Sequence, residues 1–135
     1  MEKKTAYVAS RFALKEQVRK IYSQLEELGY SISHDWTQHK SIKPYLENQE
    51  YAEEYAIADI DGARKSDLFI ILTDENGTGM HSELGAAIDH ILEFGKPIIY
   101  AIGPHLNSSI FFFHPSVKRR KTIENQKNQQ KYLLF

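Results

Sequence analysis

The chain contains no cysteine among its 135 residues, which excludes disulfides, thiolate metal sites and cysteine nucleophiles and suits a reducing compartment. It also lacks an excess of either charge: 17 Lys and Arg face 18 Asp and Glu, a formal net charge of −1. No global field therefore recruits nucleic acid or a membrane surface, and any partner has to be argued from a site. No apolar run approaches the roughly 18 residues that a membrane span needs, and the opening Met1, Glu2, Lys3, Lys4 leads into a short strand rather than a signal peptide. A soluble cytoplasmic protein is the expectation. Internal repeats are absent, the first strand-to-helix turn has no glycine-rich dinucleotide fingerprint, and there is no P-loop. The histidines, His34, His39, His81, His90, His105 and His114, do not show the paired spacing with which helices hold zinc, so neither metal nor cofactor is expected.

What is present is an alternation of strand and helix patterns within a length that suits one domain. Thr5 to Ala9 is a short apolar run, followed by Leu14, Val18, Ile21, Leu25 and Leu28 at spacings of four and three, an amphipathic helix that Gly29 ends as a left-handed cap. Tyr30 to Trp36 reads as a second strand, Thr37 to Asn48 as a polar loop, and Tyr51 to Arg64 as a second helix. The third strand is Asp67 to Thr73; the third helix runs from about His81 to Phe94, closed by Gly95, Lys96 and Pro97; the fourth strand is Ile98 to Ile102. Such alternation implies a parallel sheet with right-handed crossovers and both faces covered. The expected fold is a single-domain α/β three-layer sandwich of flavodoxin-like or Rossmann-like kind, with four or five parallel strands. Phe111 to Phe113 reads as a fifth, edge strand or as an apolar patch against a second subunit. The domain is expected to cover 1–117, with a basic, amide-rich segment 118–135 forming a surface helix capped by Thr122 and an apolar tail, Tyr132 to Phe135. The basic group Lys118 to Lys121 offers phosphate contacts or, more simply, a solvated charge cluster.

The stretch from Ser66 to Ala87 is the most informative. An apolar strand gives way to a loop bearing Asn76, Gly77, Thr78 and Gly79, then to His81, Ser82, Glu83, Leu84 and Gly85. Loops at the carboxyl ends of parallel strands are where open α/β sheets bind ligands, and helix amides there stabilise negative charge. Glu83, expected in the first helical turn, is the candidate centre of the chemistry, and Asp59 on the second helix is expected near the same sheet edge. An ionised carboxylate can attack an anomeric carbon and form a covalent glycosyl intermediate, while a second acid of higher pKa protonates the leaving base. Gly77 and Gly79 permit close backbone approach to a ligand, and Gly85 is expected to let the helix pack tightly on the sheet. His81 stands near enough to contact a ligand or to act as an acid, or is a surface hydrogen-bonding residue; Ser10 and Arg11, in the first strand-to-helix turn, can hold a phosphate.

These residues resemble the nucleoside 2-deoxyribosyltransferase superfamily, which includes deoxynucleoside 5'-monophosphate N-glycosidases. The likeness spans Thr5 to about Pro115 and rests on Tyr7 in the first strand, on Asp59 eight residues before Asp67, and on Gly79 to Ala87 with Glu83, Leu84, Gly85 and Ala87. It implies Glu83 as the nucleophile that takes the deoxyribosyl group, Tyr7 steadying that carboxylate, and Asp59 handling the leaving base. It also implies a nucleoside or nucleotide as small-molecule partner and a homo-oligomer, a dimer or larger, with Phe111 to Phe113 at an interface. The family commonly carries Asp or Ser six residues before the nucleophile, where Gly77 stands here, leaving Asn76 or Thr78 as substitutes. Two other functions fit the same cleft: a non-catalytic nucleotide sensor, and cleavage of the nicotinamide bond of NAD as in the distantly similar Toll/interleukin-1 receptor domains.

Overall fold

The computed structural model describes residues 3–123. Its centre is a five-stranded parallel sheet of order β2-β1-β3-β4-β5, built from β1 (Thr5–Ala9), β2 (Ser31–Ile32), β3 (Leu68–Leu72), β4 (Ile98–Ile102) and β5 (Val117–Arg120). Three helices connect them: α1 (Lys15–Glu27), α2 (Gln49–Lys65) and α3 (Gly79–Phe94). The order is that of the flavodoxin-like sandwich, whose topological switch point lies between β1 and β3. All five residues of β3 are buried, as an apolar strand covered on both faces requires. Each such side chain contributes about 1.5–3 kcal/mol on burial.

The helices follow from their patterns. Val18, Tyr22 and Leu25 of α1 turn inward. The helix ends where Gly29 enters the left-handed region at φ +98°, its N–H reaching the Glu26 carbonyl at 3.0 Å. Gly95, at φ +80°, does the same for α3, its N–H meeting the Ile91 carbonyl at 2.8 Å. Tyr7 and Phe69 stack on the sheet face beneath α2 and α3, with ring centroids 5.9 Å apart. Alternate residues of β1 point to the other face, over which α1 packs.

Four local expectations are corrected. The second strand is only Ser31–Ile32. As an edge strand it has one partner, and beyond Ser33 the Asp35 carboxylate takes over, accepting the Thr37 N–H at 3.0 Å and starting a 3-10 turn over Trp36–Gln38. Phe111 to Phe113 is not a strand: it lies in a 3-10 turn, Ile110–Phe113, started by the Ser109 hydroxyl, with Phe112 buried and its neighbours exposed. The edge strand is β5 instead, so Lys118, Arg119 and Arg120 belong to the sheet rather than to a segment beginning at 118. Charged side chains on an edge discourage pairing with another chain. Finally, Gly85 is exposed and a β-carbon there would meet nothing within 4 Å, so tight packing is not its role. The expected terminal helix beyond Ile123 and the apolar tail lie outside the described residues. Among those residues no helix is long and apolar enough to cross a membrane.

Candidate functional site

Tyr7 is fully buried in the middle of β1, and its hydroxyl donates to Glu83 Oε2 at 2.5 Å. The pair joins β1 to α3 on the face that α2 also covers. Because α3 starts at Gly79 rather than near His81, Glu83 lies in its second turn, and no acidic residue occupies the first. The helix dipole falls off within that first turn, so the expected stabilisation of an anion is overturned. Burial dominates instead and pushes the Glu83 carboxyl up to about 8, the Tyr7 hydrogen bond pulling it back and the Asp59 charge adding to the rise. Burial, then the charges of Glu83 and Asp59, raise the Tyr7 phenol far above its ordinary value, so Tyr7 remains a donor.

Asp59 sits on α2 one turn before Gly62. Burial raises its carboxyl to about 7. Its Oδ1 is buried and accepts no hydrogen bond, although His34 Nε2 is 3.2 Å away, outside hydrogen-bonding geometry. His39 Nδ1 lies 3.9 Å from the same oxygen, and the Nε2 atoms of His34 and His39 approach to 2.9 Å. Burial lowers the pKa of both imidazoles. The His39 ring stacks on Tyr55 at 3.7 Å between centroids.

Glu83 and Asp59 open onto a cavity of about 590 Å³ beyond the carboxyl end of β1. Its walls include Ser10, Phe12, Trp36, His39, Tyr45 and Tyr55, with Lys40 and Lys43 also contributing. Of the residues expected to bind substrate, Ser10 alone lines this cavity; its hydroxyl donates to the Arg11 carbonyl at 2.8 Å. Arg11 pairs with Asp74 at 3.5 Å. Asn76, Gly77 and Thr78 form an exposed loop, where Gly77 needs its freedom at φ +104°, and exposed Gly79 begins α3; half-buried His81 packs against Phe112. A larger depression of about 1240 Å³ beside β5, lined by Glu75, His105 and Lys118 to Lys121, holds none of Tyr7, Asp59 and Glu83. The smaller cavity is therefore the candidate site.

Sequence reasoning missed Trp36, His34, His39, Tyr55 and Gly62. The signal for Trp36 was its position as the single tryptophan just past an edge strand next to β1; here its indole N–H donates to the Val8 carbonyl at 2.6 Å and shapes the cavity wall. The histidines gave none, since His34 and His39 occupy an irregular loop. Compared with protein-family models, with curated proteins and with solved structures, the chain finds no match.

Proposed function

We propose that the protein breaks, or transfers across, the N-glycosidic bond of a nucleoside or nucleotide, with Glu83 as the nucleophile, as the resemblance to the nucleoside 2-deoxyribosyltransferase superfamily implies. The observation that carries the reading is the 2.5 Å hydrogen bond from Tyr7 to Glu83 Oε2 at the wall of a cavity of about 590 Å³. It occupies one carboxylate oxygen and orients the other, Oε1, for attack. Burial leaves Glu83 at about 8 and Asp59 at about 7, the reverse of the order expected for nucleophile and acid, so the reaction runs through the minor form in which the proton has passed from Glu83 to Asp59. Attack at the anomeric carbon then forms a C–O bond as the C–N bond breaks, the electron pair leaving with the base and a proton reaching that base from Asp59. Water or a second base then displaces Glu83 from the sugar, giving hydrolysis or transfer. The Tyr7 hydrogen bond strengthens as the carboxylate leaves again, which is where a fixed donor lowers a barrier.

The aromatic walls at Phe12, Trp36, Tyr45 and Tyr55 suit the flat faces of a base. Lys40 and Lys43, over the rings of Tyr51 and Tyr45 at 3.9 and 5.9 Å, are the cations available to a phosphate there, in place of Arg11. A homo-oligomer belongs to the same reading, with exposed Phe111 and Phe113 as its candidate contact.

The test is a chromatographic screen for free base, offering pooled deoxynucleosides, their 5'-monophosphates, ribonucleotides and NAD to the parent and to Glu83→Ala. Base released by the parent alone establishes the reaction and names the substrate class; nicotinamide released from NAD alone assigns the NAD glycohydrolase instead. Binding without release from any pool overturns catalysis in favour of a sensor.

A further inference from the structure

We infer that His34, His39 and Asp59 form a binding site for one divalent ion of the zinc class, with its open coordination positions towards the cavity. Two unrelated observations point to it. The first is spacing: the two Nε2 atoms stand 2.9 Å apart, His34 Nε2 is 3.2 Å from Asp59 Oδ1, and one ligating atom from each residue lies within 4.8 Å of the others. Zinc–nitrogen and zinc–oxygen bonds are about 2.0–2.2 Å, so ligand atoms on one ion sit about 3 Å apart at right angles and about 3.4 Å apart at tetrahedral angles. Both separations made by His34 suit adjacent positions on a single ion, while the third side of the set is wider, with His39 Nδ1 3.9 Å from Asp59 Oδ1, and closes as the ion is bound. The second is an orphan: Asp59 Oδ1 is buried with no hydrogen bond. A carboxylate oxygen is withdrawn from water at a cost, and a cation relieves it. A hydrogen bond between the two imidazoles accounts for their 2.9 Å approach but leaves that oxygen unpartnered.

The donor set selects the ion. Two imidazoles and one carboxylate suit zinc, cobalt and nickel, whereas magnesium and calcium prefer oxygen ligands throughout. Three protein ligands leave positions free, and both His39 and Asp59 line the cavity that Glu83 faces. Gly62 brings α2 close enough for the set to assemble, because a β-carbon there would lie 2.7 Å from the His34 β-carbon. The site goes beyond the glycosidic reading and does not rest on it. With an ion in place Asp59 is not free to serve a leaving base, so the two uses of that carboxylate alternate.

The experiment titrates Co²⁺ into full-length protein stripped with EDTA, reading the visible ligand-field band, with Zn²⁺ and Mg²⁺ as competitors. The expected result is one equivalent of Co²⁺ bound more tightly than about 100 μM, displaced by Zn²⁺ and not by Mg²⁺. His34→Ala and His39→Ala each weaken it by at least about tenfold, while His105→Ala and His114→Ala leave it unchanged. Paramagnetic broadening of the His34 and His39 ring resonances in the parent gives the same answer without a variant. No binding in that range, or binding and broadening that follow His105 or His114 instead, overturns the inference. Base release plays no part in the readout, so failure here and failure of the glycosidic reading are separate results.

Discussion

Gly62 and His34 touch so closely that only glycine fits: a β-carbon at 62 would sit 2.7 Å from the His34 β-carbon and 3.0 Å from the Tyr7 ring. The His34 β-carbon is fixed to the backbone and cannot swing away. Ala at a helix interior ordinarily gains about 1 kcal/mol over Gly, but forcing atoms into a packed site costs about 1–3 kcal/mol. The clash wins. Gly62→Ala is expected to lower stability by on the order of 1 kcal/mol, seen as an earlier urea midpoint. Gly85→Ala is the control: its β-carbon meets nothing within 4 Å, so the propensity gain stands alone and the midpoint rises. A Gly62→Ala protein as stable as the Gly85→Ala protein would show that the loop at His34 yields freely.

Tyr7→Phe keeps the ring that stacks on Phe69 and removes only the hydroxyl that meets Glu83. A hydrogen bond to a charged group contributes about 1.5–3 kcal/mol, which translates into a fall in base release of roughly 10- to 150-fold. The direction of a second change is also fixed. The Tyr7 hydrogen bond lowers the Glu83 pKa, so without it the carboxyl ionises at higher pH and the ascending limb of the rate profile moves to the alkaline side. A rate and profile equal to the parent's would remove Tyr7 from the mechanism.

The strands and helices that pack the core were legible in the sequence because their periodicity records burial. The run from Leu68 to Leu72 is apolar at every position, as its full burial requires, and the spacing of Val18 and Leu25 marks the inward face of α1. What was misread lies where tertiary neighbours decide. Phe111 to Phe113 has strand composition, yet the Ser109 cap bends it into a turn and the sheet edge goes to the charged β5. At the site, Tyr7, Asp59 and Glu83 were named from the sequence and do meet around one face of the sheet. The loop 76–78 and the start of α3 at Gly79, by contrast, stay away from the cavity, because most of its wall comes from the segment after β2 and from α2. Proximity of that kind is a property of topology and leaves no periodic trace.

The raised Glu83 carboxyl makes a statement about stability as well as chemistry. In the unfolded chain its pKa is near 4.5, and in the folded protein burial moves it to about 8. Between those values the native state holds a proton that the unfolded state has released, so stability from this group is complete below about 4.5 and is lost as pH rises through about 8. Glu83→Gln removes the ionisation and keeps the shape, since the amide oxygen can still accept from Tyr7. The variant is expected to match the parent near pH 5 and to exceed it near pH 9, with a melting temperature higher by on the order of 5 °C. Asp59, also raised by burial, remains in both proteins, so each retains some decline with pH, and the difference between them reports Glu83 together with its charge coupling to Asp59. Melting curves in EDTA at the two pH values decide it. A difference that does not grow with pH would mean that water reaches Glu83 and that its burial in α3 does not hold the proton. A growing one would mean that the fold gives up stability at neutral pH to keep a carboxylate beneath the cavity, which a residue placed only for packing would not require.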